Sequence, residues 1–527
     1  MRRKGRATNA HQHARSFFWQ PHGDCHRAGK TAGVLWGDFE AQMSEAMPSR
    51  PHGGRDLTQG PVAVSLLLFA LPALASNVLQ SVNGSINAIW VGQLLGETGL
   101  AATANANLIM FMMFTLVFGF GMAATIIIGQ CVGRGDTTGV RRAIGTGLTM
   151  FTVMGLASAA LGWVFAPELL HLLGTPAEVF PQALIYLRVM FLGLPSALLT
   201  VFLSMALRGT GDSLTPMLLG LPGMAVDIAL NPLLIAGAGP IPALGIMGAG
   251  VATLFANAVS FGLLIWFIYA RDLPVRLRGR EFAYLLPRRD IMVTILQKGF
   301  PMALQMMVMS GSAIGMMWLV NREGLDTIAA YGAVNQLWTY IQMPAVAVGM
   351  AVSAMAAQNI GAGHWHRIDG IARAGIAINL ALTGAVVLVT VLLDIPILQL
   401  FLPRNGQSIE IAAHVNLVAS WSFMVMGVTM ILSSIPRANG ATFVPLVIMV
   451  LAYIPGRLGV VFVLAPFLAI GALWWSFPIS AAVSLLLTIA YYFWGGWRKI
   501  SLLATMEEAE EFVQSESDPA GRLLPNG

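Results

Sequence analysis

Residues 129–136 read GQCVGRGD and residues 357–363 read AQNIGAG, two stretches that share a glutamine and two glycines at the same spacing. Subtracting Gln130 from Gln358, Gly133 from Gly361 and Gly135 from Gly363 gives 228 each time. The same offset, to within one residue, relates Leu71 and Pro72 to Phe300 and Pro301, and Leu100, Ala101 and Ala102 to Ile328, Ala329 and Ala330. It also relates Gly121 and Met122 to Gly349 and Met350, and Arg208, Gly211 and Pro216 to Arg437, Gly440 and Pro445. Apolar sequence can produce one such match by chance. Five in order, including glycine and arginine positions between apolar runs, identify a duplicated unit.

The duplicated unit is a set of membrane spans. Windows nearly free of Asp, Glu, Lys and Arg run at 62–92, 100–127, 143–167, 182–206, 214–237, 246–270, 299–320, 328–357, 374–402, 412–435, 443–468 and 471–496. Each exceeds the roughly 18 apolar residues that mark a bilayer span. The chain of 527 residues is 56% hydrophobic and 10% charged, against about 25% charged in soluble domains, which excludes a soluble core. A lipid-exposed backbone must bond within itself, so spans are helices or closed barrels, and the alternating pattern of a barrel is absent. The expectation is an all-α integral membrane protein of twelve helices in two six-helix lobes, 61–272 and 291–500, joined by a basic linker, 273–290.

Basic residues fix the expected orientation. They gather in alternate junctions: Arg134, Arg141 and Arg142, then Arg208, then Arg271, Arg276, Arg278, Arg280, Arg288, Arg289 and Lys298 between the sixth and seventh spans. By the positive-inside rule both termini are cytoplasmic. The net charge of +5 follows from this topology, and no aromatic-interleaved basic patch suggests nucleic acid. Residues 1–60 are polar, lack the apolar core of a secretory signal and read as a disordered extension; Met43 and Met47 are alternative starts. His11, His13, His22, Cys25 and His26 in that extension could ligate a metal, but a loose tail is the better reading, and no metal or cofactor is expected. Cys25 and Cys131 read as free cytosolic thiols, and 501–527, acidic at 505–517, as a solvated tail.

Six is even, so the repeats are parallel and related by an axis along the membrane normal. That arrangement leaves a central cleft that rocking can open to either side, the geometry of a transporter. No GxxxxGK[ST] motif is present, so pumping must draw on an ion gradient or a separate subunit. An enzyme would need a nucleophile and base or a metal cluster at the midplane, and a channel would need repeated pore-lining rings; neither is visible.

The segments GPVAVSLLLFALP, INAIWVGQLLGETGLAA, GQCVGRGD, YLRVMFLGLP, LRGTGDSLTP and LGIMGAGVAT together resemble the multidrug and toxic compound extrusion (MATE) transporters over roughly residues 58–500. LRGTGDSLTP is the most specific. The loop GRGDTTGVRR only loosely suits the major facilitator class. The resemblance implies two lobes forming a V in a bacterial cytoplasmic membrane, and export of organic, often cationic or amphipathic, small molecules against inward protons or sodium. Lipid and polysaccharide flippases of the same superfamily are the alternative. A monomer is expected.

Ionisable residues inside spans cost about 2.5–3.5 kcal/mol each at a helix centre on insertion scales, so they are functional candidates by default. Asp227 lies about 16 Å along the fifth span at ~1.5 Å per residue, near the midplane. Asn231 shares its helix face, and Pro232 frees the carbonyl of Ile228 beside them. A carboxylate, an amide oxygen and a loose carbonyl suit a hard cation such as sodium; where water is scarce, a carboxyl that loads and releases a proton is the alternative. Members of the resembled family carry an Asn and an Asp four apart here in the opposite order, and an Asp on the first span where this chain has Asn87. The resemblance adds Thr253 to the cluster, and Pro72 is the expected hinge of the first span. A second branch of the family has acids where this chain has Met309 and Met426, which speaks against ion coupling through the second lobe.

Arg457 in YIPGRLG is expected to snorkel, to pair with Asp227 or to meet an anionic substrate. Arg188, within YLR, reads as structural and Asp394 as a solvated span end. Met306, Met309, Trp338 and Tyr340 complete the candidate substrate cavity, since methionine adapts to varied ligands and aromatics stack on planar cations; lipid-facing filler and interface anchoring explain the same residues as readily.

Overall fold

The computed structural model describes residues 55–237, 242–402, 406–500 and 502. The histidines and Cys25 of the extension, Met43, Met47 and the acidic tail lie outside the described residues. Eleven helical stretches are long and apolar enough to cross a membrane. The first, Val62–Arg134, runs for 73 residues and holds two spans separated at Gly96, whose φ of 70° and ψ of −162° belong to a region essentially restricted to glycine. Twelve spans result. The remainder of the first lobe is Thr137–Leu172, Phe180–Gly209, Leu214–Ala236 and Ile246–Ala270.

The second lobe begins with Arg289–Val320, Leu325–Gly361 and Ile368–Leu392. Its ninth span departs from the expected 374–402. The helix starts at Ile368 and stops at Leu392, because Asp394 accepts a bond from the Ile395 amide at 2.6 Å and opens a separate short helix, Asp394–Leu398, containing Pro396. The tenth span is two helices, Gln407–Ala419 and Ser422–Ala438. The eleventh is broken into Phe443–Tyr453, a π-helical turn Ile454–Gly459 and Val460–Leu468, and the twelfth is Gly471–Trp494.

The repeat seen in the sequence reappears as paired backbone geometry. Gly135 and Gly363 have φ of 77° and 74°, and Gly211 and Gly440 have φ of 95° and 85°. At the end carrying the basic loops the lobes exchange equivalent contacts. Gln130 donates from Nε2 to the Ala438 carbonyl at 2.6 Å, and Gln358 donates from Nε2 to the Gly209 carbonyl at 2.9 Å. A Cβ on Gly133 would strike the Gln358 carbonyl, and one on Gly361 the Gln130 carbonyl, so the backbones meet there only because both residues are glycine. Among the described residues, the hydrogen bonds that join the lobes all lie at this end.

The segment before the first span is part of the seam. Leu57 is fully buried; its amide bonds Gln358 Oε1 at 3.3 Å and its carbonyl accepts from Asn359 Nδ2 at 3.0 Å. Leu57 and Thr58 are therefore packed, within the stretch expected to be a loose extension, because two buried amide side chains capture this backbone. The linker is also fixed: Arg141 pairs with Glu281, Arg142 lies over the Tyr284 ring at 5.8 Å, and Val275 and Leu277 are buried.

Candidate functional site

Past the seam the lobes part around a cavity of about 1130 Å³, lined by residues of both lobes. Among the described residues, three that line it carry formal charge: Arg208, Asp227 and Arg457. The chemistry of the cavity is set by how each is held.

Asp227 is 2% exposed and is met by four neutral donors. Its Oδ2 accepts from Asn83 Nδ2 at 2.8 Å and Asn87 Nδ2 at 2.6 Å; its Oδ1 accepts from the Thr253 hydroxyl at 3.2 Å and Asn231 Nδ2 at 3.4 Å. The Thr253 proton is shared with the Ala249 carbonyl at 3.3 Å, and Asn231 Nδ2 also reaches Asn87 Oδ1 at 3.0 Å. Helical spacing explains the convergence. Asn83 and Asn87 are one turn apart on the first span, as Asp227 and Asn231 are on the fifth, and each pair shares a face. Asn83, Asp227 and Thr253 border the cavity, with Asn87 and Asn231 behind them. The Oδ1 atoms of Asn83 and Asn231 are buried without a donor. These two orphaned oxygens beside a carboxylate fit a bound cation or proton, since a buried acceptor left unpaired costs about 1–3 kcal/mol.

Asn83 was missed in the sequence. A signal existed, a second asparagine four residues before Asn87 in an apolar helix, but nothing in the chain says which face of the first span meets the fifth.

Arg457 does not pair with Asp227, whose partners are those four donors. The π-helical turn widens the eleventh span and turns Arg457 between two rings, its Cζ 4.4 Å from the centroids of both Tyr453 and Phe477. Its Nε donates to Ser480 Oγ at 3.2 Å. No carboxylate reaches it among the described residues. It does not snorkel either, being 8% exposed and facing the cavity.

The remaining candidates divide. Met309 and Trp338 border the cavity. Trp338 is otherwise core, packed on Phe477 and Phe423 at ring separations of 4.7 and 5.3 Å and donating to Ser420 Oγ at 3.1 Å. Tyr340 does not line the cavity, because two positions on from Trp338 is about 200° around the helix, and it is exposed on the far face. Met306 sits one turn nearer the closed seam than Met309 and is also outside the cavity wall. Arg188 lies 5.4 Å from the Trp163 ring centroid. Pro72 lies within the first span, where helix continues through it.

The MatE family model matches residues 72–233 and 301–463, one match in each lobe. The chain belongs to the MatE family. It is a multi-pass membrane transporter, not an enzyme. It is 35% identical over 430 residues to the probable multidrug resistance protein YoeA of Bacillus subtilis, covering 81% of this chain and 93% of that one. It is 25% identical over 316 residues to a protein of Shewanella oneidensis named FAD transporter, covering 60% and 68%. Its fold is that of a solved multidrug resistance MATE family transporter of the MOP superfamily in an outward-facing conformation, with a TM-score of 0.75, 20% identity and coverage of 86% and 98%. Within this MatE member Asn83 and Asn87 reach the carboxylate of Asp227 from the first span.

Proposed function

We propose that this MatE protein is an ion-coupled exporter of organic, cationic or amphipathic compounds, with Asp227 as the site where proton or sodium exchanges against substrate. The observation that carries this reading is that Asp227 is the only carboxylate bordering the cavity among the described residues. An antiporter requires that ion and substrate compete for one state of the protein, and one carboxylate on the wall of the shared cavity supplies that competition.

The donors suggest how occupancy reaches the first span. Oδ2 holds the two short bonds, from Asn83 and Asn87, and Oδ1 the two long ones. A proton adds to Oδ1, where the weaker bonds are lost. Sodium instead needs amide oxygens, which Asn83 and Asn231 present when their side chains turn. Either event rearranges bonds between the first and fifth spans, and Pro72, which leaves the Leu68 carbonyl without its helical donor, is where the first span bends in response. Ion coupling resides in the first lobe, in a bacterial cytoplasmic membrane, and the protein acts as a monomer.

The test is uptake of ethidium into proteoliposomes under separately imposed proton and sodium gradients. One gradient should drive flux in wild type, and Asp227→Asn should reduce it to the leak rate while keeping its elution profile. Wild-type flux in the variant would sink the assignment.

A further inference from the structure

The charge balance of the cavity points away from cations alone. Two guanidiniums border it against one carboxylate, and that carboxylate is taken up by four neutral donors. Arg208 has its Nε buried without an acceptor. Its repeat mate Arg437 is held by Gln305 Oε1, Ser434 Oγ and the Ser433 carbonyl at 3.0 to 3.3 Å. The lobe that faces the cavity with an arginine whose Nε lacks an acceptor thus differs from the one that ties its arginine inside.

Arg457 is more telling, because it is built in. It is nine-tenths buried, its Nε is fixed by Ser480, and its plane lies between Tyr453 and Phe477. A guanidinium taken from water at the bilayer midplane is expensive unless it is paired. Here the compensation within the protein is the Ser480 hydroxyl and the ring faces of Tyr453 and Phe477, with no carboxylate among the described residues. The planar fork matches an oxyanion, and the flanking aromatics match an apolar body attached to it.

We infer that Arg457 is an anion-recognition site in the second-lobe wall, and that the preferred substrates are amphipathic small molecules that carry a carboxylate or phosphate beside an aromatic or cationic body. The inference deepens the transport reading and rests on it for the claim that the bound molecule is a substrate. Asp227 and Arg457 then act as two poles of one cavity: a zwitterion meets a counter-charge in each lobe, and loading of Asp227 by the coupling ion weakens one pole while the other persists.

The test compares two dyes that differ in one group: rhodamine 110, which has a free carboxylate, and rhodamine 123, its methyl ester. Equilibrium binding to purified protein in detergent is read by fluorescence polarisation, with no gradient, so failure of ion coupling leaves it untouched. Wild type should bind rhodamine 110 about tenfold more tightly, the scale of one hydrogen bond to a charged group. Arg457→Gln should bring the two dyes level, and Arg457→Lys should keep part of the preference, which separates lost charge from lost fold. Equal binding of the dyes by wild type, or an undiminished preference in monodisperse Arg457→Gln, overturns the inference. So does loss of the wild-type preference in nanodiscs containing phosphatidylglycerol, which would assign the guanidinium to a lipid headgroup.

Discussion

Asn83 and Asn87 approach the same oxygen of Asp227 from one face of the first span, so occupancy of the carboxylate and position of that helix are linked through two bonds. Replacing Asn83 with Leu removes a bond to a charged group worth about 1.5–3 kcal/mol and leaves its cavity-facing volume. Gradient-driven flux should fall about tenfold or more. Asn77→Leu, on the same helix and also bordering the cavity, should change flux far less. Equal losses in both variants would mean that the wall, not the bond to Asp227, matters. Asp227 itself was conspicuous in the sequence, since an acid in a span is costly and rare. Asn83 was not, because a neutral amide in an apolar helix raises no comparable flag, and its role depends on which neighbour it meets.

The seam between the lobes behaves as an element of its own, built from the second, fourth, eighth and tenth spans and closed by a symmetric pair of glutamines. Each of the two bonds contributes about 0.5–1.5 kcal/mol net, so removing both should shift the balance between closed and open seam by roughly tenfold. The measurement is a spin-label distance across the basic-loop end in Gln130→Ala combined with Gln358→Ala. A longer-distance population should grow in the double variant; a distribution like that of wild type would show that the glutamines do not hold the seam. The offset of 228 residues announced that these loops are equivalent. That equivalent loops bond to each other's lobes came only from packing, because a repeat in sequence does not say where its axis runs. The broken eleventh span was equally hidden: YIPGRLG contains Pro455 and two glycines, enough to expect irregularity, but the π-helical turn that aims Arg457 inward is fixed by its neighbours Phe477 and Ser480.

At the scale of the molecule, the joining bonds among the described residues all lie at the end with the basic loops, while the cavity lies between the lobes beyond them. If the positive-inside rule governs this chain, that closed end is cytoplasmic. A green fluorescent protein fused at the C-terminus should then be bright, and an alkaline phosphatase at the same place inactive; the reverse would invert the direction of every step proposed above.

The sequence by itself determined the solvent, the helical class, the twelve spans, the duplication and Asp227 as the conspicuous acid within a span, because each is a local or periodic property: hydropathy over a span, charge in a loop, a fixed offset. The tertiary structure decided which faces meet. Spans that are apolar all round carry no moment to say which side is inward, so Asn83 joining Asp227 across more than a hundred positions, Tyr340 turning away and Arg457 facing the cavity between Tyr453 and Phe477 were fixed only when twelve helices packed.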